Sequence, residues 1–91
     1  MVTVKVKIKN SYGLHLRPAK KLCQKVQDYP CEILMQVRGN YYNVKSMLQV
    51  LAAGVKPDEE IELICKGDEE ETVLENLKIF IEEELCESIE D

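Results

Sequence analysis

Ninety-one residues, 45% of them hydrophobic, bound a single domain over 1–91 with a limited core. The net charge of −5 excludes nucleic acid as the main partner, because a phosphate backbone calls for a surface of Lys and Arg. With no Trp, one Phe and four Tyr, the core has to rest on Val, Ile, Leu and Ala.

Val2, Val4, Val6 and Ile8 alternate with Thr3, Lys5 and Lys7, which predicts a strand with one buried face. The segment 10–13, Asn-Ser-Tyr-Gly, reads as a loop. Leu16, Ala19, Leu22, Cys23 and Val26 then recur at helical spacing, with Pro18 in the first turn, where a missing N–H costs nothing. Pro30 ends that helix near Asp28 and Tyr29. Cys31, Ile33, Met35 and Val37 predict a second strand, Arg38-Gly39-Asn40 a hairpin turn, and 41–44 a short third strand. A short helix is expected over 46–53, capped by Ser46 with Gln49 completing a capping box and stopped by Gly54. Ile61, Leu63 and Cys65 give a fourth strand. Asp68 and Glu71 suggest a second capping box, before a helix with the stripe Val73, Leu74, Leu77, Phe80, Ile81 and Leu85. The acidic tail, about 86–91, reads as a solvated end. The order βαββαβα is most economically an α+β domain, a four-stranded antiparallel sheet with three helices on one face.

Charge is unevenly placed. Lys5, Lys7, Lys9, Arg17, Lys20, Lys21 and Lys25 precede the first acid, while acids collect at 58–60, 68–71 and 82–91. Such a dipolar surface can steer a charged protein partner. Cys23, Cys31, Cys65 and Cys86 contain no C-x-x-C pair, and with one histidine no metal site is expected. The start does not resemble a secretory leader and no apolar run reaches membrane-span length. Buried reduced thiols, a cytoplasmic location and no membrane partner are therefore expected.

The chemistry centres on His15. It lies at the start of the first helix, where unpaired N–H groups and the helix dipole favour an anion. That field disfavours the imidazolium, and a neutral imidazole keeps a lone pair that can attack phosphorus. The phosphoryl group gained would meet the helix N-terminus and the Arg17 guanidinium. Gly13 removes bulk beside the site and Pro18 stiffens the first turn. No Walker-type glycine loop is present, so nucleotide is not bound in that way and no cofactor is expected.

The segment Gly13-Leu14-His15-Leu16-Arg17-Pro18-Ala19 resembles the phosphorylation-site signature of the HPr family, histidine phosphocarriers of the bacterial phosphoenolpyruvate:sugar phosphotransferase system. A second block, Asn43-Val44-Lys45-Ser46-Met47-Leu48 with Leu51 and Gly54, is similar to the family's other motif. The resemblance covers nearly the whole chain. It implies an open-faced β-sandwich and no catalytic activity beyond carrying the group. His15 is implied to accept phosphate on Nδ1 from Enzyme I and to pass it to Enzyme IIA domains, with Arg17 stabilising the phosphate. Ser46 matches the position modified by an HPr kinase/phosphorylase, a form that in some bacteria binds a transcription regulator. Lys20, Lys21, Gln24, Lys45, Met47, Leu48 and Leu51, with Lys56 nearby, are expected to form the partner surface of a monomer. Leu16 departs from the small residue usual after the histidine, which bears on partner choice.

Three alternatives stay open from the sequence. One is the nitrogen-type branch of the same family. Another is a regulatory binding module without phosphotransfer, against which His15 and Arg17 argue. The third is an enzyme or metal module on a ferredoxin-like frame, which no paired ligands or second base support.

Overall fold

The computed structural model describes residues 1–9 and 16–83. The elements are β1 (Val2–Lys7), α1 (Leu16–Val26), β2 (Cys31–Val37), β3 (Asn40–Asn43), α2 (Met47–Ala53), β4 (Glu60–Gly67) and α3 (Glu70–Glu83). They follow the expected order. Residues 10–15, with Gly13 and His15, and residues 84–91, with Leu85 of the expected last stripe, the cysteine at position 86 and the acidic tail, lie outside the described residues.

The strands form one antiparallel sheet in the order β1-β4-β2-β3. Its register shows why alternation produces two unlike faces. Val4, Leu63, Met35 and Tyr42 stand side by side across all four strands on one face. Lys5, Glu62, Gln36 and Tyr41 stand beside them on the other. Side chains along a strand alternate, so one face is apolar and the other mainly polar, with Leu34 and Ile64 set among its polar residues. Val6, Ile33, Met35, Ile61 and Leu63 are buried in one cluster with Leu22, Val26, Val50, Leu77 and Ile81 from the three helices. The helices thus cover a single face, as an open-faced sandwich requires.

The β2–β3 hairpin turns on two residues, because Val37 pairs with Asn40. Both turn residues are left-handed, Arg38 at φ 49° and Gly39 at φ 85°. That is the turn whose twist matches the flanking strands, and it normally takes Asn or Gly. Arg38 adopts it at some steric cost. Its guanidinium reaches the Glu59 carboxylate and the Ala53 carbonyl, and lies 3.4 Å from the Gly54 carbonyl. One side chain therefore joins the hairpin, the last turn of α2 and the approach to β4. Glu59 also accepts from the Lys56 amide at 2.9 Å. That amide first, and then Arg38, hold the Glu59 carboxyl below its ordinary range.

Both capping boxes differ from expectation. At α2, Ser46 is the N-cap and its hydroxyl accepts from the Gln49 amide at 3.3 Å. The return contact is absent, since the Ser46 amide already donates to the Asn43 carbonyl at 3.0 Å. The Gln49 side chain instead accepts from the Asn43 amide at 2.8 Å. At α3, the Asp68–Glu71 box does not form. Glu70 folds back one residue earlier, accepting from the Gly67 amide at 2.9 Å and from the Met1 amine at 2.8 Å. The hydrogen bond from the amine, followed by that from Gly67, lowers the Glu70 pKa. At the other end of α2, Gly54 closes the helix as expected, at φ 58° with its amide on the Leu51 carbonyl.

Cys23, Cys31 and Cys65 are buried free thiols, as the sequence suggested. Cys65 is pushed up to about 12, chiefly by burial and then by the neighbouring Cys31.

Candidate functional site

The site assembles from the start of α1 and from α2, two helices packed against each other. Apolar spacing sets how α1 lies. Pro18, Ala19, Leu22, Cys23 and Val26 are buried, which turns Leu16, Arg17, Lys20, Lys21 and Gln24 outward. Leu16 is 62% exposed at the first position of the helix. Pro18 is the third residue of α1, where no intrahelical partner for its nitrogen is missed. The first turn holds no acid, so nothing charged within it opposes an anion at the helix start.

On α2, Val50 and Ala53 face the core. Leu48 is 81% exposed, while Met47 and Leu51 are half-buried and Leu51 packs against the core cluster. An exposed leucine flanked by two half-buried apolar side chains suits contact with a partner more than packing within the chain. Ser46 is half-buried at the head of this helix. Lys56 is exposed beyond its end.

Lys45 differs from the expected outward cation. Its ammonium donates to the Tyr29 carbonyl at 2.7 Å, at the end of α1. Its own carbonyl accepts from Gln27 Nε2 at 2.8 Å and from the Cys23 thiol at 3.3 Å. The start of α2 is thereby tied to the C-terminal half of α1. Gln27, Tyr29 and Cys23 were not legible as site-organising residues, since nothing in spacing marks a side chain that bonds a carbonyl in another element. Arg38 is of the same kind, visible in sequence only as a turn residue.

Among the described residues no group of three or more His, Cys, Asp or Glu is placed to hold a metal ion. No helix among them is long and apolar enough to cross a membrane.

The antiparallel sheet with helices on one face, and a basic helix start beside an exposed apolar patch, define an open-faced α+β sandwich of the histidine-phosphocarrier type. The chain belongs to the PTS-HPr family, whose model, described as the PTS HPr component phosphorylation site, matches residues 2–83. It is 29% identical over 85 residues to the HPr-like protein Crh of Bacillus subtilis (strain 168), covering 93% of this chain and 100% of that protein. It is 28% identical over 83 residues to the phosphocarrier protein HPr of Mycoplasma pneumoniae, covering 90% and 94% respectively. The crystal structure of HPr from Thermoanaerobacter tengcongensis superposes with a TM-score of 0.86 at 32% identity, covering 90% of this chain and 92% of the other. An HPr dimer from the same organism matches with a TM-score of 0.72 at 30% identity, over 93% of this chain and 98% of the other. A monomer is therefore not a property the family supplies, and that expectation is withdrawn.

Proposed function

We propose that this protein carries a phosphoryl group on His15, taking it from phospho-Enzyme I and passing it to Enzyme IIA domains. The observation that supports this most is the family match, which spans Gly13-Leu14-His15-Leu16-Arg17-Pro18-Ala19. In this mechanism a neutral His15 nitrogen attacks phosphorus, and the bond from phosphorus to the donor breaks as the new N–P bond forms. Little covalent work is left for the rest of the site, so its contribution is position and charge. Arg17, outward-facing on the first turn of α1, meets the negative charge spread over the transferring group. Gly13 and Pro18 shape the approach, and Leu16 adds an apolar contact next to it. No cofactor is required, because the group arrives already activated.

Lys20, Lys21 and Gln24 on α1 with Met47, Leu48 and Leu51 on α2 form the partner surface, basic on one side and apolar on the other. Acidic partners would be steered by the first part and held by the second. Ser46, beside that surface, is a regulatory position for an HPr kinase/phosphorylase. A phosphate there adds about two negative charges, which opposes docking of an acidic partner and favours a basic one such as a transcription regulator. The setting is cytoplasmic, where phosphoenolpyruvate and Enzyme I are found. A purely regulatory module acting through Ser46 is disfavoured by the intact His15 motif.

Incubation with phosphoenolpyruvate and Enzyme I, followed by intact mass analysis, tests the proposal. One phosphoryl group, lost on brief acid treatment, supports it. No gain in mass, or a gain that survives acid, would refute it.

A further inference from the structure

The link between β3 and α2 is bonded to α1 more fully than a helix cap requires. Gln27 Nε2 donates to the Lys45 carbonyl at 2.8 Å and also lies 3.2 Å from the Cys23 carbonyl and 3.3 Å from its sulfur. The Cys23 thiol donates to the same Lys45 carbonyl at 3.3 Å. The Lys45 amide donates to Asn43 Oδ1 at 2.9 Å, which fixes the backbone from which the side chain leaves. Its ammonium then crosses to the Tyr29 carbonyl at 2.7 Å. Tyr29 belongs to the final turn after α1, its amide donating to the Val26 carbonyl at 3.2 Å. Lys45 immediately precedes Ser46 in the chain.

We propose that Lys45 relays the charge state of Ser46 to α1: a phosphate on Ser46 draws the Lys45 ammonium off the Tyr29 carbonyl and loosens the end of α1. The occasion for the switch rests on the regulatory role given to Ser46 above; the wiring does not. Three physical points set its direction. The ammonium is now held by a neutral carbonyl, whereas phosphoserine offers about two negative charges and three acceptor oxygens on the adjacent residue. The bond to the Tyr29 carbonyl is charge-assisted by the ammonium alone, whereas a bond to phosphate adds the Coulomb attraction of an opposite charge. Lysine is a point charge on a flexible four-carbon stem, so it can be re-aimed without moving the backbone.

The consequence is confined. The Lys45 carbonyl keeps its bonds to Cys23 and Gln27, so α1 stays docked on α2. The Tyr29 carbonyl loses its cation and turns to water, and the last turn of α1 opens more often. Lys45 is thus a positioning residue that acts on the partner surface through α1, in addition to any direct repulsion between phosphate and partner.

The test installs phosphoserine at position 46 during synthesis, so that no kinase is needed. The readouts are the carbonyl carbon resonance of Tyr29 and the exchange rate of its amide hydrogen. In the otherwise unchanged chain, phosphoserine should shift the resonance and speed exchange by roughly five- to tenfold, the effect of one lost hydrogen bond on local opening. Lys45→Met should show the faster exchange without phosphate, and phosphate should add nothing. Lys45→Arg should restore the response. Tyr29 signals unmoved by phosphoserine, or moved equally in Lys45→Met, would overturn the relay. If Lys45→Met does not fold, a through-space correlation between the Lys45 ammonium protons and phosphorus decides, and its absence overturns the relay. Failure of any kinase to modify Ser46 would leave these outcomes unchanged, and an unmoved Tyr29 would leave Ser46 able to repel partners directly.

Discussion

Arg38→Ala tests whether one turn residue holds the partner-facing helix in place. Alanine at φ 49° carries the same left-handed strain as arginine, so the substitution removes the side chain's contacts without relieving the backbone. Three contacts are lost, of which the long 3.4 Å one to the Gly54 carbonyl adds little. The pair with Glu59 joins side chains 48% and 19% exposed, so solvent screens it and about 1 kcal/mol is a fair value. The bond to the Ala53 carbonyl satisfies a helix-end acceptor in a partly buried position and contributes about 1 kcal/mol more. The total of about 2 kcal/mol should lower Tm by roughly 8–16 °C in a domain of this size. Acid titration of stability gives a second check. Glu59 is held below its ordinary value of 4.5, so its contribution is complete above that pH and is lost as pH falls through the lowered value. In Arg38→Ala the loss on acidification should be smaller, because Arg38's part of it is already gone, while the larger part from the Lys56 amide remains. Thermal melts of both proteins at neutral and acidic pH measure both effects. A Tm change under about 2 °C, or an unchanged acid dependence, would refute the clasp.

Arg17→Ala should slow phosphoryl transfer by roughly 10- to 1000-fold in rapid-quench assays with either partner; unchanged rates would make Arg17 a surface charge. Leu48→Ala should leave Tm near wild type, since the side chain is 81% exposed, yet raise KM for Enzyme I. Leu22→Ala should do the reverse, costing about 2–5 kcal/mol of stability through a cavity in the core. Cys65, with its pKa pushed up to about 12 and its side chain buried, should react with a thiol reagent only as fast as the native state opens. Rapid labelling of Cys65 without denaturant, followed by peptide mapping, would contradict its packing.

Local periodicity made most of this fold readable. The alternations at 2–8 and 31–37 and the helical repeat Ala19, Leu22, Cys23, Val26 each became an element with the expected face buried, whereas Leu16, first in that repeat, stands 62% exposed at the helix start. Gly54 and Ser46 were legible because cap chemistry is short-range. The capping boxes were less so, since the same side chains had other choices. Gln49 could reach the Asn43 amide, and Glu70 could reach the Met1 amine, 69 residues away in sequence. Contacts of that kind leave no periodic trace. Lys45 looked like another surface cation, and only the folded chain sets its ammonium against Tyr29. The exposed members of the candidate surface, Arg17, Lys20, Lys21, Gln24 and Leu48, were legible from motif and helical phase together. The placement of His15 and Gly13 falls outside the described residues, so the motif and the family carry that part.

The central claim is that His15 both receives and surrenders the phosphoryl group. Labelled phosphoenolpyruvate with Enzyme I, this protein and an Enzyme IIA domain, quenched over a time course, tests it directly. Label should appear first on this protein in acid-labile form and then on Enzyme IIA, and His15→Ala should abolish both steps while keeping its melting curve. Label reaching Enzyme IIA as fast with a folded His15→Ala variant, or label held by the wild type and never passed on, would contradict the account.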